Sequence, residues 1–172
     1  MGALFLMKNE IKTKELKALL SDYIDSLGLS VFSIGFTLVF DENDFPEVLV
    51  GVSTFREVEN WISEFGYDAK YYIWNTAEYE LFEISNFDGF SYFDENFLSR
   101  ESYLEDIQRM LRDLNECMLK EGENIYLYAH DVEDDDFLFF LQKSLCKEQL
   151  KEIDLCKYCL LYTSPSPRDL DV

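Results

Sequence analysis

The 172-residue sequence has little basic charge, one histidine, three prolines and four cysteines. It contains no zinc-ligand spacing, phosphate-binding loop, nucleophile elbow or dinucleotide fingerprint. No apolar run approaches the roughly 20 residues that a membrane-spanning helix needs. We therefore predict a protein with no cofactor, no metal and no membrane contact, and we expect that it is not an enzyme.

The scarcity of basic residues narrows the choice of partner. Only 15 Lys and Arg residues stand against 35 Asp and Glu residues, which gives a formal net charge of −20. Such a surface repels nucleic-acid phosphates and anionic lipid headgroups, so neither is an expected ligand. It attracts a basic protein partner, because complementary fields steer encounter and suppress wrong partners. The alternative is that the acidity only maintains solubility.

The two ends of the chain differ in character from its middle. Residues 159–169, with the sequence CLLYTSPSPRD, resemble the conceptual translation of a transposon-type sequencing-library adapter. We therefore predict that residues 159–172 are a non-native tail and that the natural C-terminus is missing. Residues 1–8 are predicted to be an upstream or disordered segment, with Met7 as a candidate start. Residues 9–158 then form a single domain.

The cysteines indicate a reducing compartment. If the tail is foreign, Cys156 and Cys159 are not a redox or zinc pair. The remaining cysteines, Cys117, Cys146 and Cys156, are odd in number and lack metal-ligand spacing. This usage is typical of a cytosolic protein, so we expect a cytoplasmic localisation.

Hydrophobic periodicity predicts the fold class. With 48% hydrophobic and 16% aromatic residues, the chain can bury a sizeable core. Helices are predicted over residues 9–27, 54–65, 99–121 and 137–158. Strands are predicted over residues 30–40, 47–52, 71–74 and 124–129. This order predicts an α+β fold with a mixed, mainly antiparallel sheet packed against helices. A doubly wound parallel sheet is less favoured, because no Gly-rich turn follows a strand.

Residues 131–136, here called the acidic segment, follow the last predicted strand and contain five acidic residues. They are Asp131, Glu133, Asp134, Asp135 and Asp136. A calcium loop needs a glycine at its sixth position and an acid at its twelfth, where this chain has Asp136 and Gln142. Two interpretations remain. The segment is either a solvated loop whose charges favour the next helix start, or a docking patch for a basic partner.

A second acidic stretch, residues 85–97, is interleaved with aromatic residues and is predicted to be a loop. Its candidate partner-binding residues are Phe90, Tyr92, Asp94 and Glu95. Because aromatic residues dominate the energetics of many interfaces, this composition favours a docking face over solubility alone.

Trp74 and Glu78 are further candidates for contact with a partner. An exposed Trp74 near Tyr79 would form a binding hot spot, whereas a core tryptophan at a strand end is the alternative. Glu78 is otherwise a helix-start acid. The only histidine, His130, lies beside Asp131 but has no second histidine and no serine-in-elbow motif to serve as a general base. We interpret it as a strand-end surface histidine.

Residues 9–150 resemble a bacterial domain-of-unknown-function family, number 4303. The likeness rests on the aromatic strand at residues 31–38, the capping box at residues 53–57 and the aromatic-Trp-x-x-Ala-Glu-aromatic segment at residues 72–79. Asn75 and Thr76 replace a common Ser-Pro, and Tyr79 replaces a common Trp. The resemblance implies a compact bacterial cytosolic domain without established enzymatic activity, of the kind found beside polymorphic toxins.

These observations predict a non-catalytic acidic protein-binding domain. The expected role is that of an immunity protein that neutralises a basic toxin. One alternative is an uncharacterised enzyme or small-ligand-binding domain with a cleft near Trp74 and Glu78. Another is an adaptor domain of a longer protein.

Overall fold

A computed structural model describes residues 2–40, 42, 46–82 and 98–155, with side chains described between residues 12 and 153. Its helices are α1 (Gly2–Leu27), α2 (Phe55–Phe65), α3 (Lys70–Ile73), α4 (Arg100–Lys120), α5 (Phe137–Ser144) and α6 (Lys147–Leu155). Its strands are β1 (Val31–Val39), β2 (Glu47–Thr54) and β3 (Tyr126–Asp131). Two short 3-10 helices, Gly66–Ala69 and Thr76–Glu78, flank α3.

The three strands form one mixed sheet in the order β2-β1-β3. β1 pairs with β2 antiparallel and with β3 parallel. The antiparallel pair is a hairpin, whereas the parallel pair requires the chain to cross over from β2 to β3 through α2, α3 and α4. The predicted α+β class and mixed sheet are confirmed, and the described residues form a single domain. Strand β1 lies at the centre and is almost wholly buried, as its continuous apolarity predicts.

The two faces of the sheet bury different kinds of side chain. Helices α1 and α4 pack on one face against an aliphatic cluster that includes Ile34, Phe36 and Leu38. Helices α2, α3, α5 and α6 pack on the other face against an aromatic cluster, which contains Phe32, Trp74, Tyr126, Tyr128 and Phe140. Polar residues are also buried on this second face, and they surround the site described below.

Side chains close the outer edge of β3. The Nδ2 of Asn115 donates to the carbonyl of Leu127 (2.9 Å), and its Oδ1 accepts from the Leu127 amide (3.1 Å). The Nε2 of Gln108 donates to the carbonyl of Ala129 (3.0 Å), and the Ala129 amide donates to Ser144 Oγ (3.2 Å). These bonds occupy groups that an added strand would need, so this edge is not a template for strand addition.

The predicted capping box at the start of α2 is confirmed. Thr54 Oγ1 accepts from the amide of Glu57 (3.3 Å), and Glu57 Oε2 accepts from the amide of Thr54 (2.8 Å). The other carboxylate oxygen of Glu57 accepts from the Glu80 amide (2.9 Å). The cap therefore also fixes the chain that leaves the second 3-10 helix.

Several predicted elements differ from the structure. The strand predicted over residues 71–74 is wrong, because that segment is α3 and the end of its turn. Aromatic residues favour strands, but here the Tyr72 ring stacks on Phe65 of α2, with centroids 4.1 Å apart. The final helix is interrupted after Ser144, where Leu145 is extended and buried. Helix α1 begins at Gly2 rather than at residue 9. Strand β3 covers Tyr126–Asp131 rather than residues 124–129.

Candidate functional site

The acidic segment leaves the carboxyl end of β3 and leads directly into α5. Its backbone is held by its own carboxylates. Asp131 Oδ1 accepts from the amide of Glu133 (3.0 Å), and Asp134 Oδ1 accepts from the amide of Asp136 (3.1 Å). Asp136 is the N-cap of α5, with its Oδ1 accepting from the amide of Phe139 (3.2 Å). The segment is therefore an ordered turn, and three of its acids have a structural task.

The remaining two acids of the segment face solvent. Glu133 and Asp135 are exposed, and within the described part of the chain neither side chain forms a hydrogen bond or an ion pair. No Lys or Arg occurs in the sequence between Lys120 and Lys143. The turn therefore has no basic neighbour along the chain.

Aromatic rings flank the acidic segment on both sides of α5. Tyr71 is 55% exposed, and its ring meets Phe137 edge-on with centroids 5.8 Å apart. Phe139, in the first turn of α5, is 51% exposed. Val132 within the segment is also about half exposed. Exposed acids and exposed rings thus lie near the start of α5.

His130 is buried beneath the acidic segment, so its predicted surface position is wrong. Its ring stacks on Phe140 with centroids 4.7 Å apart, and it is 8% exposed. Nδ1 lies 2.9 Å from the Asp131 carbonyl, which can only accept, so Nδ1 carries the proton. Nε2 then accepts from the hydroxyl of Thr37 at 2.9 Å. Burial lowers the pKa of His130, although Asp131 and Asp134 oppose that shift.

Two separate groups of hydroxyls lie on the same face of the sheet as His130, and the first is bonded to it. Thr37 Oγ1 is 2.7 Å from Thr76 Oγ1. Farther along, Tyr79 Oη is 2.5 Å from Tyr128 Oη and 3.2 Å from Ser33 Oγ, and it donates to the carbonyl of Ile73. Burial raises the pKa of Tyr79 to about 12. The phenol pair is therefore neutral at physiological pH and acts as a fixed scaffold.

Two glycines make room for this polar layer. Gly35 of β1 lies opposite Gly51 of β2, and Thr76 packs on both. A β-carbon at position 35 would lie against the Thr76 methyl group and 2.7 Å from Tyr128 Cζ. Only glycine allows the hydroxyl-bearing side chains to approach the sheet this closely.

Trp74 and Glu78 differ in exposure. Trp74 is only 2% exposed, with its ring edge-on to Tyr126 and Tyr128, so its side chain belongs to the aromatic cluster. Glu78 is exposed at the end of the second 3-10 helix. The predicted ligand cleft near these two residues stays a prediction.

The loop candidates Phe90, Tyr92, Asp94 and Glu95 lie outside the described residues. So does most of the acidic turn at residues 41–44, of which only Glu42 is described, and it is exposed. Within the described ranges, no group of three or more His, Cys, Asp and Glu side chains is arranged to hold a metal ion. No helix in the same ranges is long and apolar enough to cross a membrane.

Sequence reasoning missed the rings of Tyr71, Phe137 and Phe139 as part of the site. A signal was present for two of them, because Phe137 and Phe139 follow the acidic segment without a break. Tyr71 is distant in sequence and had been assigned to a strand, so nothing in the pattern connected it to residue 137.

Comparison with protein-family models, with curated proteins and with solved structures found no match. The resemblance to family 4303 therefore stays a prediction.

Proposed function

We propose that this protein is a non-catalytic binding domain that docks a basic protein partner through its acidic segment, in the manner of an immunity protein that neutralises a toxin. The observation that carries the proposal is the exposed pair Glu133 and Asp135 on an ordered turn, in a stretch of sequence that has no Lys or Arg between Lys120 and Lys143. The bound form of the turn requires little further ordering, because backbone hydrogen bonds already hold it. Preorganisation of this kind lowers the entropic cost of association.

The five acids of the segment have different structural roles, and this difference favours docking over a role in solubility alone. Asp131, Asp134 and Asp136 each accept a backbone hydrogen bond, which accounts for their presence without a partner. Glu133 and Asp135 have no such role, and their like charges repel those of their neighbours. Exposed carboxylates without an internal hydrogen bond can pair with a basic partner.

The closed edge of β3 supports the same mode of binding. Asn115, Gln108 and Ser144 occupy the outward backbone groups of β3. A partner that docks here would therefore contact side chains and would not add a strand to the sheet. The electrostatic attraction would then increase the rate of association. The exposed rings would provide contact area for the partner.

The test is co-expression with the products of the adjacent genes, followed by purification and calorimetric titration at low and high salt. The proposal predicts a complex with a basic protein whose affinity falls steeply as salt rises. A matched pair of charge variants provides the control. Glu133→Gln with Asp135→Asn should weaken the complex, whereas Asp25→Asn with Glu123→Gln should not. Absence of any complex, or one insensitive to salt, would contradict the proposal.

A further inference from the structure

The two nitrogens of the buried His130 ring have partners of different kinds. Nδ1 lies 2.9 Å from the carbonyl oxygen of Asp131, which can only accept a hydrogen bond. Nε2 lies 2.9 Å from the hydroxyl of Thr37, which can either donate or accept. A second proton on the ring therefore leaves the contact at Nδ1 as it is and changes only the contact at Nε2.

The hydroxyl protons next to the neutral ring have defined directions. Thr37 has one hydroxyl proton and donates it to Nε2 of His130. Thr76 Oγ1, which lies 2.7 Å from Thr37 Oγ1, must then donate to Thr37. A proton on Nε2 reverses both bonds, because the ring then donates to Thr37 and Thr37 donates to Thr76. In this reversed arrangement the hydroxyl proton of Thr76 has lost its acceptor.

Thr76 connects this hydroxyl chain to a surface element. It is 2% exposed and is the first residue of the second 3-10 helix, Thr76–Glu78, whose other two residues are exposed. Among the described residues, Thr37 is the hydrogen-bond partner of its hydroxyl. Because a buried hydroxyl without an acceptor is costly, Thr76 has to move when the chain reverses. Its carbonyl accepts from the amide of Tyr79 (3.1 Å), so such a movement is passed to the 3-10 helix.

The acidic segment keeps its backbone hydrogen bonds in both states of the ring. The carbonyl of Asp131 accepts from the amide of Asp134 (2.9 Å) as well as from Nδ1. The carboxylates of these two residues accept from the amides of Glu133 and Asp136. None of these bonds involves Nε2, so the effect of protonation is directed towards Thr37 and not towards the segment.

The surroundings of His130 decide when its ring takes up the second proton. Burial is the largest effect and lowers its pKa, so the ring is neutral at pH 7 and is protonated only in acid. Asp131 and Asp134 are the charged groups of the described chain that act on the ring, and both favour the protonated form. The ring of Phe140 in α5 carries no charge, and burial raises the pKa of the Tyr128 phenol, which therefore stays neutral.

We propose that His130 is a proton sensor: its protonation reverses the hydrogen bonds through Thr37 and displaces the 3-10 helix Thr76–Glu78 on the surface of the sheet. The switch is built from buried groups of the fold and does not depend on the docking function proposed above. Histidine is suited to this role because a small change in pH near its pKa changes its charge.

The experiment follows the nitrogen-15-labelled full chain by NMR from about pH 7.5 to about pH 4.5. The imidazole nitrogens give the midpoint of His130, and the amides of residues 76–78 are fitted for a step at that midpoint. His130→Gln identifies any step that comes from a carboxylate instead. Thr37→Val and Thr37→Ser are the matched pair, because the first removes the hydroxyl while the ring can still be charged, and the second keeps the hydroxyl.

We expect the amides of residues 76–78 to share the midpoint of His130 in the wild type and in Thr37→Ser, and to lose most of that step in Thr37→Val. Absence of the step in the wild type while the ring titrates would overturn the proposal. So would a ring that stays neutral until the protein unfolds. A step of equal size in Thr37→Val would show a direct effect of charge and would overturn it as well. The wild-type titration is decisive by itself if a variant does not fold.

Discussion

Tyr79 and Tyr128 share a hydrogen bond of 2.5 Å between their phenol oxygens inside the aromatic cluster, 49 positions apart in sequence. The direction of that bond follows from the other contacts. Tyr79 has one proton and donates it to the carbonyl of Ile73, which can only accept. Tyr128 must therefore donate to Tyr79. Ser33 Oγ lies 3.2 Å from the same oxygen and 2.5 Å from Ser53 Oγ. Tyr79 is thus the centre of the network and Tyr128 is one of its branches.

This asymmetry predicts unequal costs for two similar substitutions. Tyr128→Phe removes one donor, so we expect a loss of about 1 kcal/mol in the free energy of unfolding. Tyr79→Phe leaves the Ile73 carbonyl and the Tyr128 hydroxyl without their partner, whereas Ser33 keeps Ser53, so we expect about 2–3 kcal/mol. Urea denaturation of the two variants measures the difference. Equal costs, or a larger cost for Tyr128→Phe, would contradict the assigned directions.

Substitution of the two facing glycines, Gly35 and Gly51, is also expected to destabilise the protein to different extents. A β-carbon at Gly35 would lie 2.7 Å from Tyr128 Cζ and against the Thr76 methyl, whereas one at Gly51 would lie 3.0 Å from its nearest atoms. We expect Gly35→Ala to cost about 3 kcal/mol and Gly51→Ala about 1 kcal/mol. Thermal unfolding provides the comparison. Adding Thr76→Ser, which removes that methyl and keeps the hydroxyl, should recover part of the loss at Gly35, and no recovery would argue against steric overlap.

The buried imidazole predicts a pH dependence with a definite sign. Burial lowers the pKa of His130 below its ordinary value of 6.5, so the unfolded chain binds this proton more readily than the folded protein does. Stability from this group is therefore complete above pH 6.5 and is lost as the pH falls from 6.5 to the folded pKa. Carboxylates also titrate in acid, so the quantity to measure is the difference between the wild type and His130→Gln.

Because His130 is the only histidine, its nitrogen resonances report the protonation state directly. We expect a neutral ring with the proton on Nδ1 and a pKa below 6.5. A proton on Nε2, or a pKa above 6.5, would contradict the hydrogen-bond assignment.

Local signals in the sequence predicted much of the fold. The capping box from Thr54 to Glu57 and the continuous apolarity of β1 depend on neighbouring residues, and both are confirmed. The segment that contains Tyr72 was assigned wrongly, because strand propensity cannot register the stacking of its ring on Phe65. Long-range polar contacts left no signal either. Thr37 and His130 are 93 positions apart, and only the parallel pairing of β1 with β3 brings them together.

The sequence also predicted one part of the candidate site and missed another. The acidic segment is visible as a run of acids, although the sequence could not separate the three that hold the turn from Glu133 and Asp135. Its aromatic flank depends on the packing of α3 against α5, which places Tyr71 beside Phe137. That contact is a product of tertiary structure alone.

We propose that the acidity forms a docking face at residues 131–139 and is not merely spread for solubility. An NMR titration of the nitrogen-15-labelled protein with a decapeptide of arginine tests this proposal. We predict that the largest amide shifts cluster at residues 131–139 and around Tyr71, and that they shrink strongly in the variant Glu133→Gln with Asp135→Asn. Shifts of similar size around exposed acids at the other end of the sheet, such as Asp25 and Glu123, would contradict the claim.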